Sequence, residues 1–341
     1  MVTVIPLDLP DAAVAADVAE GLAAVERALG DAARAEEALL TQASRHLIEA
    51  GGKRFRATVV LLAAQFGDPA NERIVPAATA IELTHLATLY HDDVMDEADV
   101  RRGHESANSR WTNTIAILTG DFLFARASQI LAGLGAEAIR IQAETFARLV
   151  SGQIAETLGP RPGQDPLAHY LQVVEDKTAS LIATAGRFGA MFAGTPPDVV
   201  AATTSACNAL GVAFQLSDDI LDVTSESAES GKTPGTDLRE GVRSLPVLYV
   251  LRPSPKPGGR GGRGGPGDDR LRELLSGPEL TDETLHAEAL ALLRAHPAMD
   301  AARADLRRWA GVARDQIAAL PGVPARAAFE AMCDFVVART G

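Results

Sequence analysis

The sequence predicts an all-α protein, a single domain over residues 1–341 built as a bundle of ten or more helices. Three observations predict it. Alanine, leucine, glutamate and arginine, all strong helix formers, dominate the chain. Apolar residues recur three and four apart, as in Leu22, Val25, Leu29 and in Leu39, Leu40, Leu47, which lines one helical face. Strand-like alternation is almost absent, and no repeat of fixed period is visible.

Composition narrows the class. Apolar residues make up 47% and charged residues 23%, too hydrophobic for a disordered chain. A chain of 341 residues can bury about 75% of its unfolded surface. The net charge of −13 argues against a nucleic-acid binder, which needs a basic field. Two cysteines, Cys207 and Cys333, cannot make a disulfide framework and suit a reducing compartment. Asp8, Asp11 and Asp17 stand where a signal peptide needs basic residues. No run approaches the roughly 18 uncharged apolar residues that span a bilayer. The expectation is a cytoplasmic protein with no transmembrane segment and no nucleic-acid partner.

Along the chain, Val59-Val60-Leu61-Leu62 is a continuous apolar run inside a longer helical pattern and reads as a buried helix. Asp68-Pro69 and Pro76 punctuate the stretch before a helix from about Pro76 to Asp99. Gly194-Thr195-Pro196-Pro197 closes another. The stretch RPSPKPGGRGGRGGPG at 252–267 holds seven glycines in its last ten residues. It predicts a disordered Gly/Pro-rich loop over 252–269, a basic patch for anionic lipid or a partner being the alternative. Residues 270–341 are too few for an enzyme domain and should cap the bundle.

Two acidic clusters carry the chemistry. His91-Asp92-Asp93-Val94-Met95-Asp96 ends an apolar helical stretch, and Ser217-Asp218-Asp219-Ile220-Leu221-Asp222 follows Leu210 to Phe214. Positions four apart share a helix face, so Asp92 stands beside Asp96 and Asp218 beside Asp222. Each like-charge pair costs about 0.2–0.5 kcal/mol, so one pair alone is weak evidence. Two pairs, each preceded by apolar residues, call for a countercharge, which a divalent cation supplies. Carboxylate oxygens point to Mg²⁺ shared with phosphate oxygens rather than to zinc. The expected ligand is a diphosphate between the two helices. No calcium loop of alternating acids and central glycine is present.

Cations accompany the acids: Lys53, Arg54 and Arg56 after Gly51-Gly52, Arg101-Arg102 just past Asp96, Lys177, and Lys232. Arginine grips phosphate with two donors and lysine acts as a point charge. Gly51-Gly52-Lys53 lacks the strand and spacing of a P-loop.

Together GGKRFR at 51–56, HDDVMD at 91–96, RRG at 101–103, FQLSDDILD at 214–222 and GK at 231–232 resemble the trans-isoprenyl diphosphate synthases, the polyprenyl synthetase family, over about residues 40–250. The resemblance implies an isoprenoid-synthase-type bundle around a deep central cavity, a homodimer, and head-to-tail condensation of isopentenyl diphosphate with an allylic diphosphate. It implies that Asp92, Asp96 and Asp218 hold about three Mg²⁺ ions, and that Asp93, Asp219 and Asp222 complete the acidic clusters. By the same resemblance Arg101, Lys177 and Lys232 grip the allylic diphosphate. Lys53, Arg56, His85 and Arg102 would bind isopentenyl diphosphate. His85 lies seven residues before Asp92, about −20° around the helix, so it shares that face. Thr178 and Gln215 resemble the residues whose oxygens face the allylic cation. One departure follows the GK: Arg243 stands where the family carries a further lysine.

The residues five and four before the first aspartate, Ala87 and Thr88, help to set chain length in this family. Both are small, which resembles the longer-chain polyprenyl members and implies about six or more isoprene units, such as a quinone side chain. Loose membrane association during release of long products is the corresponding expectation. Thr88 falls about 40° from Asp92 and can line the pocket, whereas Ala87 falls about 140° away. The alternatives are a short-chain (geranylgeranyl or farnesyl) synthase, a class I terpene cyclase, and a non-catalytic subunit of a heteromeric synthase. Asp218 to Glu226 nearly matches a cyclase motif, departing at Asp222, but Lys53, Arg56 and Arg102 imply a second substrate. Such subunits generally lack one acidic cluster, and this chain keeps both.

Overall fold

The computed structural model describes residues 9–225, 234–252, 266–277 and 280–340. The chain opens with α1 (Ala12–Ala32), α2 (Ala38–Glu49), α3 (Phe55–Ala64) and α4 (Ile74–Met95). A two-stranded hairpin, β1 (Val100–Arg101) and β2 (His104–Glu105), leads to α5 (Ala107–Arg110), α6 (Asn113–Leu134) and α7 (Ala136–Leu158). Next come α8 (Pro166–Val174), a π-turn (Glu175–Ala179), α9 (Ser180–Phe192) and α10 (Pro197–Thr224). The remainder forms α11 (Thr236–Arg239), α12 (Leu245–Leu251), α13 (Pro266–Leu275), α14 (Glu283–Arg294), α15 (Ala298–Ala318) and α16 (Pro324–Ala338). The fold is all-α, as its periodicity predicts.

Local chemistry explains the ends. Asp11 caps α1, its Oδ1 accepting from the N–H of Ala13 and Val14 at 2.9 and 3.0 Å. Below the cap, Val14, Val18, Leu22, Val25 and Leu29 form the buried stripe. α3 is buried along nearly its whole length, as expected of the run at 59–62. Pro197 opens α10 at its first position, where no hydrogen bond is lost.

Four expectations need correction. α4 begins at Ile74, with Pro76 inside its first turn, where proline is tolerated. It stops at Met95, because Glu97 takes a left-handed conformation (φ 49°) and the chain turns into the hairpin. Leu39 is exposed, so its recurrence with Leu40 and Leu47 does not mark one buried face. α13 begins at Pro266, inside the stretch read as a loop, because Asp268 to Leu275 restores helix-forming residues; 253–265 lie outside the described residues.

α3, α4, α9 and α10 make the centre, and α15 packs along α10, so residues beyond 270 do cover the bundle. Close approach is built in at glycines. A Cβ on Gly189 would lie 2.2 Å from Val60 O, so α9 meets the backbone of α3 there. α6 and α10 are long and apolar enough to cross a membrane by length and composition. Both carry charged residues, and α10 lies in the core, with Asp218, Asp219 and Asp222 on it.

Candidate active site

α4 delivers the first acidic cluster at its C-terminal end. Asp96 caps the helix, its N–H donating to Asp92 O at 2.8 Å. Burial pushes the Asp92 carboxyl up to about 6; Lys177 and Arg101 oppose the rise, and Asp96 and Glu156 add to it. Asp93 turns inward and is fully buried, accepting from Arg101 Nε at 2.5 Å. Its Oδ2 is buried with no partner among the described residues. Burial raises the Asp93 pKa, and Arg101 restrains it. Arg101 also lies 3.8 Å from Asp96, so one guanidinium serves both carboxylates.

Left-handed backbone presents the cations. Arg54 (φ 48°) and Arg102 (φ 54°) both adopt a conformation that is uncommon without glycine and concentrates at ligand-binding sites. Arg102 Nη1 donates to Leu47 O at 2.7 Å and to Gly51 O. Its guanidinium carbon lies 3.0 Å from where a Cβ on Gly52 would stand, so the arginine packs closely over that glycine. Burial and the neighbouring Arg54 lower the Arg102 pKa to about 10. Burial lowers the Arg56 pKa while Glu82, Asp218 and Asp92 raise it, so Arg56 sits within electrostatic reach of both acidic clusters. Its Nε is buried without a partner among the described residues. Burial, then Arg56 and Arg102, hold His85 well below its ordinary pKa. Lys53 is exposed but partly desolvated, which lowers its pKa.

The π-turn presents Lys177 and Thr178, a geometry that often marks functional positions. α7 makes room for it: a Cβ on Gly152 would lie 2.7 Å from Lys177 N. Arg148 holds its start, with Nη2 3.0 Å from Glu175 Oε1 and Nε bonded to Asp176. Lys177 Nζ donates to Glu156 Oε2 at 2.5 Å. Burial lowers the Lys177 pKa, but Glu156 and Asp92 outweigh it and the net shift is upward.

α10 carries the second cluster. Gln215 Nε2 donates to Asp219 Oδ1 at 3.0 Å, and Tyr170 Oη and Leu245 N donate to its Oδ2 at 2.5 and 3.0 Å. Asp219 is buried, which raises its pKa against those bonds. Asp222 Oδ2 accepts from Asp237 N at 3.2 Å, and its carbonyl from Gly235 N at 2.7 Å. Asp219 and Asp222 thus anchor neighbouring backbone. Asp218 instead pairs with Arg339 Nη2 at 2.5 Å.

A cavity of about 860 Å³ brings together Asp96, Arg101, Arg102, Lys177, Thr178, Gln215 and Asp219. Arg243 lines it too. Asp92, Asp93, Asp218, Asp222, Lys53, Arg56, His85, Ala87 and Thr88 do not line it, Ala87 and Thr88 contrary to the expected wall. Ala87 is buried against α6, its carbonyl 3.1 Å from where a Cβ on Gly120 would stand. Thr88 Oγ1 bonds back to His85 O at 2.8 Å. Lys232 lies outside the described residues. Tyr170, Glu156 and Arg339 were not foreseen. Each reaches its partner across 21 to 121 residues, so no local spacing could have marked them.

Among the described residues no three acids, histidines or cysteines converge as a ready-made metal cage. Asp92, half-buried and raised by Asp96 and Glu156, is a carboxylate that a cation would stabilise. The donor set fits the ion.

A helical bundle in which one acid of each cluster, Asp96 and Asp219, meets Arg101, Arg102 and Lys177 at one cavity has the architecture of the isoprenoid synthases. The chain belongs to the polyprenyl synthetase family, whose model matches residues 37–258. It is 48% identical over 336 residues to a nonaprenyl diphosphate synthase of Mycobacterium tuberculosis, covering 98% of this chain and 97% of that one. Its fold matches a geranylgeranyl pyrophosphate synthase of Corynebacterium glutamicum, solved with calcium and isoprenyl diphosphate, at 41% identity and TM-score 0.84 over 98% and 99% of the two chains. A decaprenyl diphosphate synthase of Rhodobacter capsulatus matches at 32% identity and TM-score 0.82, over 96% and 98%.

Proposed function

We propose that this prenyltransferase condenses isopentenyl diphosphate with an allylic diphosphate, with Mg²⁺, to make an all-trans polyprenyl diphosphate of medium to long chain. The observation that carries the reading is the cavity of about 860 Å³ at which Asp96 and Arg101 face Lys177, Gln215 and Asp219.

Asp92, Asp96 and Asp218 would hold the Mg²⁺, which when bound stabilises charge on the departing diphosphate. Arg101 and Lys177, already held by Asp93 and Glu156, are oriented to grip the allylic diphosphate. Thr178 and Gln215, bonded to each other, present oxygens to the allylic cation as its C–O bond ionises. Lys53, Arg56 and Arg102, with His85 kept neutral, bind isopentenyl diphosphate, whose double bond attacks the cation. A proton then leaves for the released diphosphate.

The medium-to-long product is supported by the small Ala87 and Thr88 and by the likeness to the nonaprenyl and decaprenyl synthases. A geranylgeranyl product is the second reading, favoured by the likeness to the Corynebacterium enzyme. We further propose a homodimer through α6 and α7, whose outer faces expose Ile117, Leu118, Ile139 and Ile154. The test incubates the protein with Mg²⁺, labelled isopentenyl diphosphate and several allylic primers, then sizes the products. Incorporation with chain growth is expected. A cyclic hydrocarbon from primer alone, or no incorporation with any primer, would overturn the reading.

A further inference from the structure

The end of α16 brings Arg339, far beyond the family match that stops at residue 258, against the second acidic cluster. Its Nη2 donates to Asp218 Oδ1 at 2.5 Å, and its side chain is only 11% exposed. The guanidinium carbon stacks 4.9 Å from the centre of the Phe214 ring and 5.7 Å from that of Phe335. Nε and Nη1 are buried without partners among the described residues. Arg339 and Asp218 act on Lys53 with opposite signs, after burial, so the three groups share one corner of the site.

This arrangement sets up a competition. Arg339 takes Oδ1 alone, so a metal ion that draws on both Asp218 oxygens competes with the guanidinium for that oxygen's lone pairs. A divalent cation brought to Asp218 also repels the arginine beside it, and partial burial weakens the screening of that repulsion. The stacking on two aromatic rings keeps the guanidinium close by when the ion pair opens.

We propose that Arg339 is a positioning residue that holds Asp218 in the free protein and is displaced when a divalent cation with a diphosphate takes that carboxylate. The end of α16 thereby responds to loading of the site. The inference rests on the reading of Asp218 as a metal ligand. Arg339 N donates to Phe335 O at 3.2 Å and Thr340 N to Val337 O at 3.3 Å, bonds confined to the last turn of α16.

The experiment uses the full chain, with Mg²⁺ and inorganic pyrophosphate as the probe. Two quantities are read: the Mg²⁺ concentration giving half of the thermal shift, and amide hydrogen exchange over residues 335–340. In the parent protein, exchange there should rise several-fold on loading. In Arg339→Gln the exchange should already be fast and unresponsive. Its half-saturating Mg²⁺ should fall about fivefold, the size of a partly exposed ion pair removed as competitor. Arg339→Lys, which keeps the charge but loses the stacked guanidinium plane, should fall between the parent and Arg339→Gln. A midpoint in Arg339→Gln that is unchanged or raised, while the parent responds, overturns the inference and leaves the proposed function standing. A parent that responds to neither Mg²⁺ nor pyrophosphate sinks both. If the glutamine variant does not fold, unchanged exchange in the loaded parent still overturns the inference.

Discussion

Thr178 Oγ1 donates a 3.0 Å hydrogen bond to Gln215 Oε1, joining the π-turn to the helix of the second acidic cluster. Gln215 passes the link to Asp219, and Tyr170 and Leu245 complete that carboxylate's partners. The chain of bonds fixes both oxygens proposed to face the allylic cation. Gln215→Leu should therefore destabilise the fold by about 1–3 kcal/mol, since buried Asp219 loses a donor. Urea unfolding measures that loss. Turnover should drop by about tenfold or more with little change in KM for isopentenyl diphosphate, because orientation rather than binding is lost.

Asp92→Asn removes a half-buried carboxylate proposed to hold the metal while leaving its shape. Incorporation of labelled isopentenyl diphosphate should fall by about 10²–10³ in kcat, the usual scale for losing one element of charge stabilisation. Circular dichroism should stay that of the parent. A variant with near-normal kcat would remove Asp92 from the ligand set.

His85 makes stability depend on pH with a definite sign. Its folded pKa lies well below the unfolded value of about 6.5. Its contribution is complete above about 6.5 and is lost as the pH falls below it, because the unfolded chain takes up the proton first. His85→Gln should lessen the drop in melting temperature between about pH 7.5 and 5 relative to the parent. Identical profiles would show that the imidazole does not resist protonation.

At Gly189, α9 packs against the backbone of α3, and the obstacle there is the Val60 carbonyl, which cannot swing aside. Gly189→Ala should cost about 1–3 kcal/mol in urea unfolding. Gly30, which has open space around its Cβ position and lies in α1, is the control. Gly30→Ala should be neutral or stabilising by up to about 1 kcal/mol.

Ala87 is buried between α4 and α6 one and a half turns before Asp92, outside the cavity. If growing product opens a path past it, Ala87→Phe should shift products toward shorter chains, read by reversed-phase chromatography. The larger ring should also cost about 1–3 kcal/mol of stability through overpacking. An unchanged product distribution in the folded variant would show that this residue is not a wall.

The sequence by itself determined the all-α class, the buried helix at 59–62 and the pairs Asp92/Asp96 and Asp218/Asp222. Those depend on helical periodicity and on residue chemistry, both of which act over a few residues. Tertiary structure decided what each charge touches. Asp93 turns to Arg101 and Asp219 to Tyr170, so the second aspartates of two similar motifs do different work. The π-turn at Lys177 depends on Gly152 and Arg148 from another helix. Arg339 reaches Asp218 only because α16 packs back on the bundle, and a contact across 121 residues leaves no trace in local spacing.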